Sequence, residues 1–145
     1  LSASPNTVGI LLKNANDADI DRRPDPERFT IREVMGHLAD WDGVWFERMS
    51  RIRNEENPFL PGYDEGQWAI DNNYSSMVVS EQLVRYAAGR AKILELLNGL
   101  SDEHWDRTGT HGELGTISIA DLAILVLAHD YHHANQINEW IAEGI

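Results

Sequence analysis

The sequence predicts an all-α protein built as a four-helix bundle. Apolar residues recur at steps of three and four in four separate stretches, and no stretch shows sustained period-2 alternation or an Asn-Gly or Asp-Gly hairpin turn. One long connection then constrains how the helices are arranged. At 145 residues the chain is about one domain, residues 1–145, and long enough to bury a core.

The first helix is short, with Ser4 as N-cap, Pro5 at its first position, and Val8, Leu11, Leu12 and Ala15 on its apolar side. The second opens at Thr30 with Glu33 three residues on, a capping box. Ile31, Val34, Met35, Leu38, Trp41, Trp45, Met49 and Ile52 follow in helical register to a stop near Asn54, before Pro58. The third is expected from Ser80 through Leu83, Tyr86, Ala87, Ile93, Leu94 and Leu97 to Asn98-Gly99, with a further turn at Ser101 to Trp105. The fourth opens at Ser118 with Asp121 completing another capping box, and runs through Ile119, Leu122, Val126, Ile137, Trp140 and Ile141 to Gly144. Between the second and third helices, residues 55–79 carry Pro58, Pro61, Gly62 and Gly66 and far exceed the roughly 2–8 residues that join antiparallel neighbours. A helix of about 24 residues is about 36 Å long. A connection of this length runs back along it and leaves the second and third helices parallel.

Composition excludes several functions. A net charge of −12, with 24 acidic and 12 basic residues, repels phosphate backbones, so neither nucleic acid nor an anionic membrane is an expected partner. No apolar run approaches the roughly 18 residues that span a bilayer. The opening LSASPNTVG lacks the charged and apolar regions of a secretory signal, and a cytoplasmic location is expected. With no cysteine, the chain has no disulfide, thiolate ligand or thiol nucleophile of its own.

The unusual feature is LAHDYHHANQI, Leu127 to Ile137. At 100° per residue, His129 and His133 fall within about 80° of Leu122, Val126, Ile137 and Trp140, in the middle of the apolar stripe, and His132 lies on its shoulder. One reading is two core histidines with all four ring nitrogens satisfied by hydrogen bonds. The other is a metal site, because imidazoles at i and i+4 converge on one ion. His37, at the edge of the second helix's stripe, either completes such a site or stands half-exposed.

FTIREVMGHLADWD and HDYHHANQI resemble segments of the DinB/YfiT-like family of four-helix-bundle metalloproteins, a Trp-Thr-x-x-Glu start leading into His-Leu-Ala and a closing His-x3-His-x2-Gln-Ile; Phe29 stands where Trp is usual. DEGQWAIDNNY, the Arg90 helix and RTGTHGELGTIS are similar to one branch, and the resemblance extends from about Asp17 onward. It implies an up-down-down-up bundle, frequent homodimers, and a family name that records damage-induced expression, a stress response, rather than DNA binding. It also implies a divalent metal (Zn, Ni or Fe) held by His37, His129 and His133. Relatives include S-transferases and an isomerase that use low-molecular-weight thiols; here the thiol is a cosubstrate from outside. Sulfoxide synthases of the family carry Glu two residues after the last histidine, where this chain has Asn135.

The expected chemistry is metal-dependent transfer of a small thiol to an electrophile, or hydrolysis of a small-molecule substrate by metal-activated water. The rival is a dimeric bundle with a structural or vestigial metal. Arg90, on the apolar face of the third helix, either clamps a substrate carboxylate or forms a buried ion pair with Asp40 or Asp130. Asp130 either orients a ligand imidazole from behind or is solvated. Trp68 and Tyr63 are candidates for lining a substrate pocket over the metal, and His111, in the Gly-rich loop before the fourth helix, either reaches the mouth of the site or, as is more expected, lies at the surface.

Overall fold

The computed structural model describes residues 1–144. Helices α1 (Ser4–Leu12), α3 (Ile31–Asn54), α5 (Val79–Asn98) and α7 (Ile119–Ala142) form the four-helix bundle. Short helices α2 (Asp17–Asp21), α4 (Glu65–Asp71) and α6 (Asp102–Trp105) and a 3₁₀ turn, Tyr74–Ser76, lie in the connections. Among the described residues no helix is long and apolar enough to cross a membrane.

The caps of the two long helices form as their residues dictate. Thr30 Oγ1 accepts from the Glu33 N–H while Glu33 accepts from that of Thr30, and Ser118 and Asp121 repeat the arrangement on α7. The other two starts differ from expectation. The N-cap of α1 is Ala3, and Pro5 lies in its first turn; that of α5 is Val78, so Ser80 sits inside the helix. Both caps lack a side-chain hydrogen bond, so nothing in the local chemistry marks them.

The core has two parts. Val34, Met35, Leu38, Tyr86, Ile137 and Trp140 fill one end, and Trp45, Met49, Ile52, Ile93, Leu122 and Val126 the other. Burying each such side chain contributes about 1.5–3 kcal/mol.

The expectation of no strands is corrected. Strands β1 (Phe59–Leu60), β2 (Thr108–His111) and β3 (Gly115–Ser118) form one small sheet in the order β1-β2-β3. β2 and β3 pair antiparallel across the turn at residues 112–114, after which Gly115 opens β3 with φ of +74°, and β1 pairs parallel to β2, Leu60 beside His111. The sheet ties the connection after α3 to the one before α7. The rest of the long connection is anchored by Asp40 on α3, whose carboxylate accepts from Trp68 Nε1 at 3.0 Å, Tyr74 Oη at 2.9 Å and Arg85 Nη2 at 2.6 Å. Tyr74 lies so close to α3 that a Cβ on Gly36 would sit 2.8 Å from its ring.

Candidate metal centre and its cavity

α3 and α7 bring His37, His129 and His133 together at the divide between the two core regions. One ring nitrogen from each can be chosen so that all three lie within 4.8 Å of one another. The Nε2 atoms of His37 and His129 are 2.8 Å apart. His37 and His133 are buried and His129 is half-buried. Burial, then the neighbouring imidazoles, pushes the His37 pKa down to about 2. Burial likewise takes His129 to about 4 against the opposing charge of Asp130, and burial with the neighbouring imidazoles takes His133 to about 3 against the Gln136 hydrogen bond and Asp130. All three rings are therefore neutral near pH 7, with lone pairs available.

The tautomer of His133 follows from its neighbour. Gln136 Nε2 donates to the Phe29 carbonyl at 2.9 Å, which turns Gln136 Oε1 toward His133 Nδ1 at 3.1 Å. His133 must then carry its proton on Nδ1 and leave Nε2 free, the role that outer hydrogen bonds play around metal-bound histidines. His37 Nδ1 is buried without a partner. Three neutral nitrogens with no oxygen ligand suit a borderline cation such as Zn²⁺, Ni²⁺ or Fe²⁺ rather than Ca²⁺ or Mg²⁺. The donor set therefore fits a divalent ion of that group.

His129 also lines a cavity of about 310 Å³, walled by Trp41, Trp45 and Tyr63, with Arg48 and His111 among its polar groups. On the other side, His132, His133 and Gln136 line a second opening of about 240 Å³. Glu65 lines both.

The family model of the DinB superfamily matches residues 1–137. The chain belongs to the DinB superfamily. Two Oceanobacillus iheyensis proteins, both named as candidate metal-dependent hydrolases, are similar to it. One is 24% identical over 132 residues, covering 91% of this chain and 76% of the relative. The other is 32% identical over 131 residues, covering 88% and 76%. Among solved structures, YfiT of Bacillus subtilis, described as a candidate metal-dependent hydrolase with an unusual four-helix-bundle topology, superposes with a TM-score of 0.90 at 23% identity. That match covers 98% of this chain and 82% of YfiT, and it establishes likeness of fold.

Within this DinB-superfamily bundle the remaining candidates fall in different places. Tyr63 lines the cavity; Trp68 stands behind it, its ring edge-on to Trp41 and Tyr63 and its N–H tied to Asp40. Arg90 is not placed to clamp a substrate. It is 1% exposed, and it donates through Nε and Nη2 to Asp42 at 3.0 and 2.9 Å and through Nη1 and Nη2 to Asp130 at 2.5 and 2.8 Å. The ion pair is thus the arrangement present, with Asp42 where Asp40 was a candidate. Asp130 is correspondingly occupied: its carboxylate accepts from Arg90 and from Tyr86 Oη at 3.0 Å and hydrogen-bonds to no imidazole. A role behind a ligand histidine does not fit that geometry.

His111 is the other correction. It lies on β2, buried, and its Nδ1 accepts from the backbone N–H groups of Glu113 and Leu114. Arg48 and Gln136 went unrecognised as site residues. Gln136 is one helical turn from His133, a spacing that points to it; Arg48 is one turn from Trp45 on the same face of α3, and nothing in the sequence separates it from a solvated arginine.

Proposed function

We propose that this chain is a divalent-metal-dependent enzyme acting on a small organic substrate, with hydrolysis as its reaction. The observation that carries the reading is the meeting of three neutral imidazoles, one of which, His129, lines a cavity of about 310 Å³. His37, His129 and His133 would hold the ion, and the hydrolase names of its relatives support the assignment. A divalent ion bound there supplies a Lewis acid and lowers the pKa of a water or thiol that reaches it. The chain's own residues do the rest. Burial keeps the imidazoles unprotonated, Gln136 holds the His133 proton on Nδ1, and the aromatic wall takes the apolar body of the substrate and excludes bulk water. Glu65, which lines both openings, would accept a proton from water.

Transfer of a low-molecular-weight thiol is the second reading. It is favoured by one observation: among the described residues no carboxylate hydrogen-bonds to any of the three imidazoles, and an ion-activated thiol needs no such base. In a chain without cysteine that thiol comes from solution. The test is a panel of activated esters and alkyl halides, with and without added thiols, on Zn²⁺-, Ni²⁺- and Fe²⁺-loaded protein. Hydrolysis requires metal, disappears in His133→Ala, and falls sharply in Glu65→Gln. Thiol transfer requires metal and survives Glu65→Gln. Stoichiometric metal with no turnover on either arm, and His133→Ala behaving only as a destabilised fold, assigns the ion a structural role instead.

A further inference from the structure

Two arginines are buried in this protein, and the surroundings of one do not match those of the other. Arg90 has two carboxylates on its fork. Arg48 is 7% exposed and forms no ion pair among the described residues, in a chain with twice as many acidic as basic residues. Its one hydrogen bond runs from Nη2 to the Pro61 carbonyl at 2.8 Å, its Nε has no partner, and the faces of Trp45 and Tyr63 flank it at 5.3 and 5.6 Å. A carbonyl and two ring faces soften a buried cation without neutralising it.

One more donor lines the same cavity. His111, 5% exposed, accepts two backbone N–H groups at Nδ1, so in its neutral form the proton is on Nε2, which has no partner among the described residues. Burial, then the Arg48 charge, lowers its pKa and keeps that form. Trp45 Nε1 is buried and also unpartnered. Glu113, the carboxylate on the hairpin turn, lies against Gly62 and also lines this cavity, where its charge acts on Arg48 and His111, but it forms no ion pair with Arg48 among the described residues. A guanidinium and the His111 Nε2–H donor thus share one cavity with His129.

We infer that the Arg48–His111 end of the cavity is an oxyanion subsite, which takes the carboxylate or phosphate of a small organic substrate while its apolar body lies against Trp41, Trp45 and Tyr63. The subsite deepens the proposed function by naming the substrate class, and it rests on that reading only for the reaction at the histidines. Binding of the anion itself needs no metal.

The test is calorimetric titration of metal-free protein at fixed ionic strength and near-neutral pH, with phenylacetate, phenyl phosphate and neutral phenylacetamide as probes. One or both anions bind the wild type at least about tenfold more tightly than phenylacetamide, and the tighter of the two tells a carboxylate from a phosphate substrate. Arg48→Gln loses that preference, Arg48→Lys retains part of it, and His111→Phe weakens anion binding about tenfold while leaving phenylacetamide unchanged. Because Arg48 also holds the Pro61 carbonyl, circular dichroism melts accompany each variant; if Arg48→Gln fails to fold, His111→Phe decides. Equal binding of all three probes, or anion binding unchanged in the folded variants, overturns the subsite. Zn²⁺ titration of the same samples separates the two claims: wild type that takes phenylacetate but no Zn²⁺ removes the metal reading and leaves the subsite standing.

Discussion

The Nε2 atoms of His37 on α3 and His129 on α7 face each other at 2.8 Å. Two neutral rings in that position can share only one proton between them, and either arrangement leaves the buried His37 Nδ1 without a partner. A divalent cation removes the contest, since both lone pairs then point at the same positive charge. Zn²⁺ added to metal-free protein is therefore expected to bind one to one. At 100 times Kd it adds about 2.7 kcal/mol, raising Tm by about 5–10 °C. His37→Ala and His129→Ala abolish the shift; titration calorimetry and thermal melts that find no binding in the wild type refute it.

Gln136 gives a sharper test, because it touches His133 and not the ion site itself. Gln136→Leu frees His133 to change tautomer and is expected to weaken Zn²⁺ binding by about 10–100-fold. Gln136→Glu keeps an acceptor on His133 Nδ1 and retains most of the affinity. Equal affinities in the three proteins would show that the hydrogen bond does not orient the ligand.

The histidines also make the metal-free fold acid-sensitive. Their ordinary pKa is 6.5, and in the folded protein they titrate at about 2, 4 and 3 for His37, His129 and His133. Above pH 6.5 neither folded nor unfolded chain protonates them and stability is flat. Below it the unfolded chain takes up protons that the folded one refuses, so stability falls; the His129 contribution is complete near pH 4, and those of His133 and His37 only near pH 3 and 2. Asp42, lifted by burial from 3.8 to about 6, works the other way with a single proton between those two values. The net of about two protons is worth roughly 3 kcal/mol per pH unit. Urea melts of chelator-treated protein read this slope; a stability unchanged between pH 6.5 and 5 contradicts it.

Arg90→Met leaves Asp42 and Asp130 buried without their cation. Breaking a buried pair in this way costs about 3–5 kcal/mol. Folded protein is expected to bind Zn²⁺ as the wild type does, since Arg90 touches no imidazole. A variant with wild-type stability and lost metal binding would reverse the assignment and return Arg90 to the site.

Gly36→Ala places a methyl within 3 Å of Tyr74 and the Met77 sulfur. The 3₁₀ turn must move off α3, and overpacking of this kind costs about 1–3 kcal/mol. The measurement is a loss of Tm in chemical and thermal melts; an unchanged Tm means that the turn already has room.

The bundle was legible because its signals are local. Thr30 with Glu33, Ser118 with Asp121, and the apolar steps between them lie within a few residues of one another, and helical phase alone set His129 and His133 apart from His132. The sheet was not legible for the opposite reason. Its strands are two to four residues long, too short for alternation to register, and Phe59 pairs with Thr110 from a distant part of the chain. His111 then read as a loop residue because the sheet that buries it was invisible. The two arginines show a further limit. A cation on a helix face announces neither the carboxylates that meet Arg90 nor their absence around Arg48, since partners come from other elements.

The pairing of β1 with β2 divides responsibility within the molecule. The imidazoles are fixed by long helices, whereas the opposite wall of the cavity is made by segments of two connections, around Tyr63 and around His111, clasped together by a few backbone hydrogen bonds. Exchanging those two segments reshapes what enters without disturbing what waits inside. A scaffold of this kind can change its diet while keeping its chemistry, and the two connections are where a library aimed at new substrates belongs.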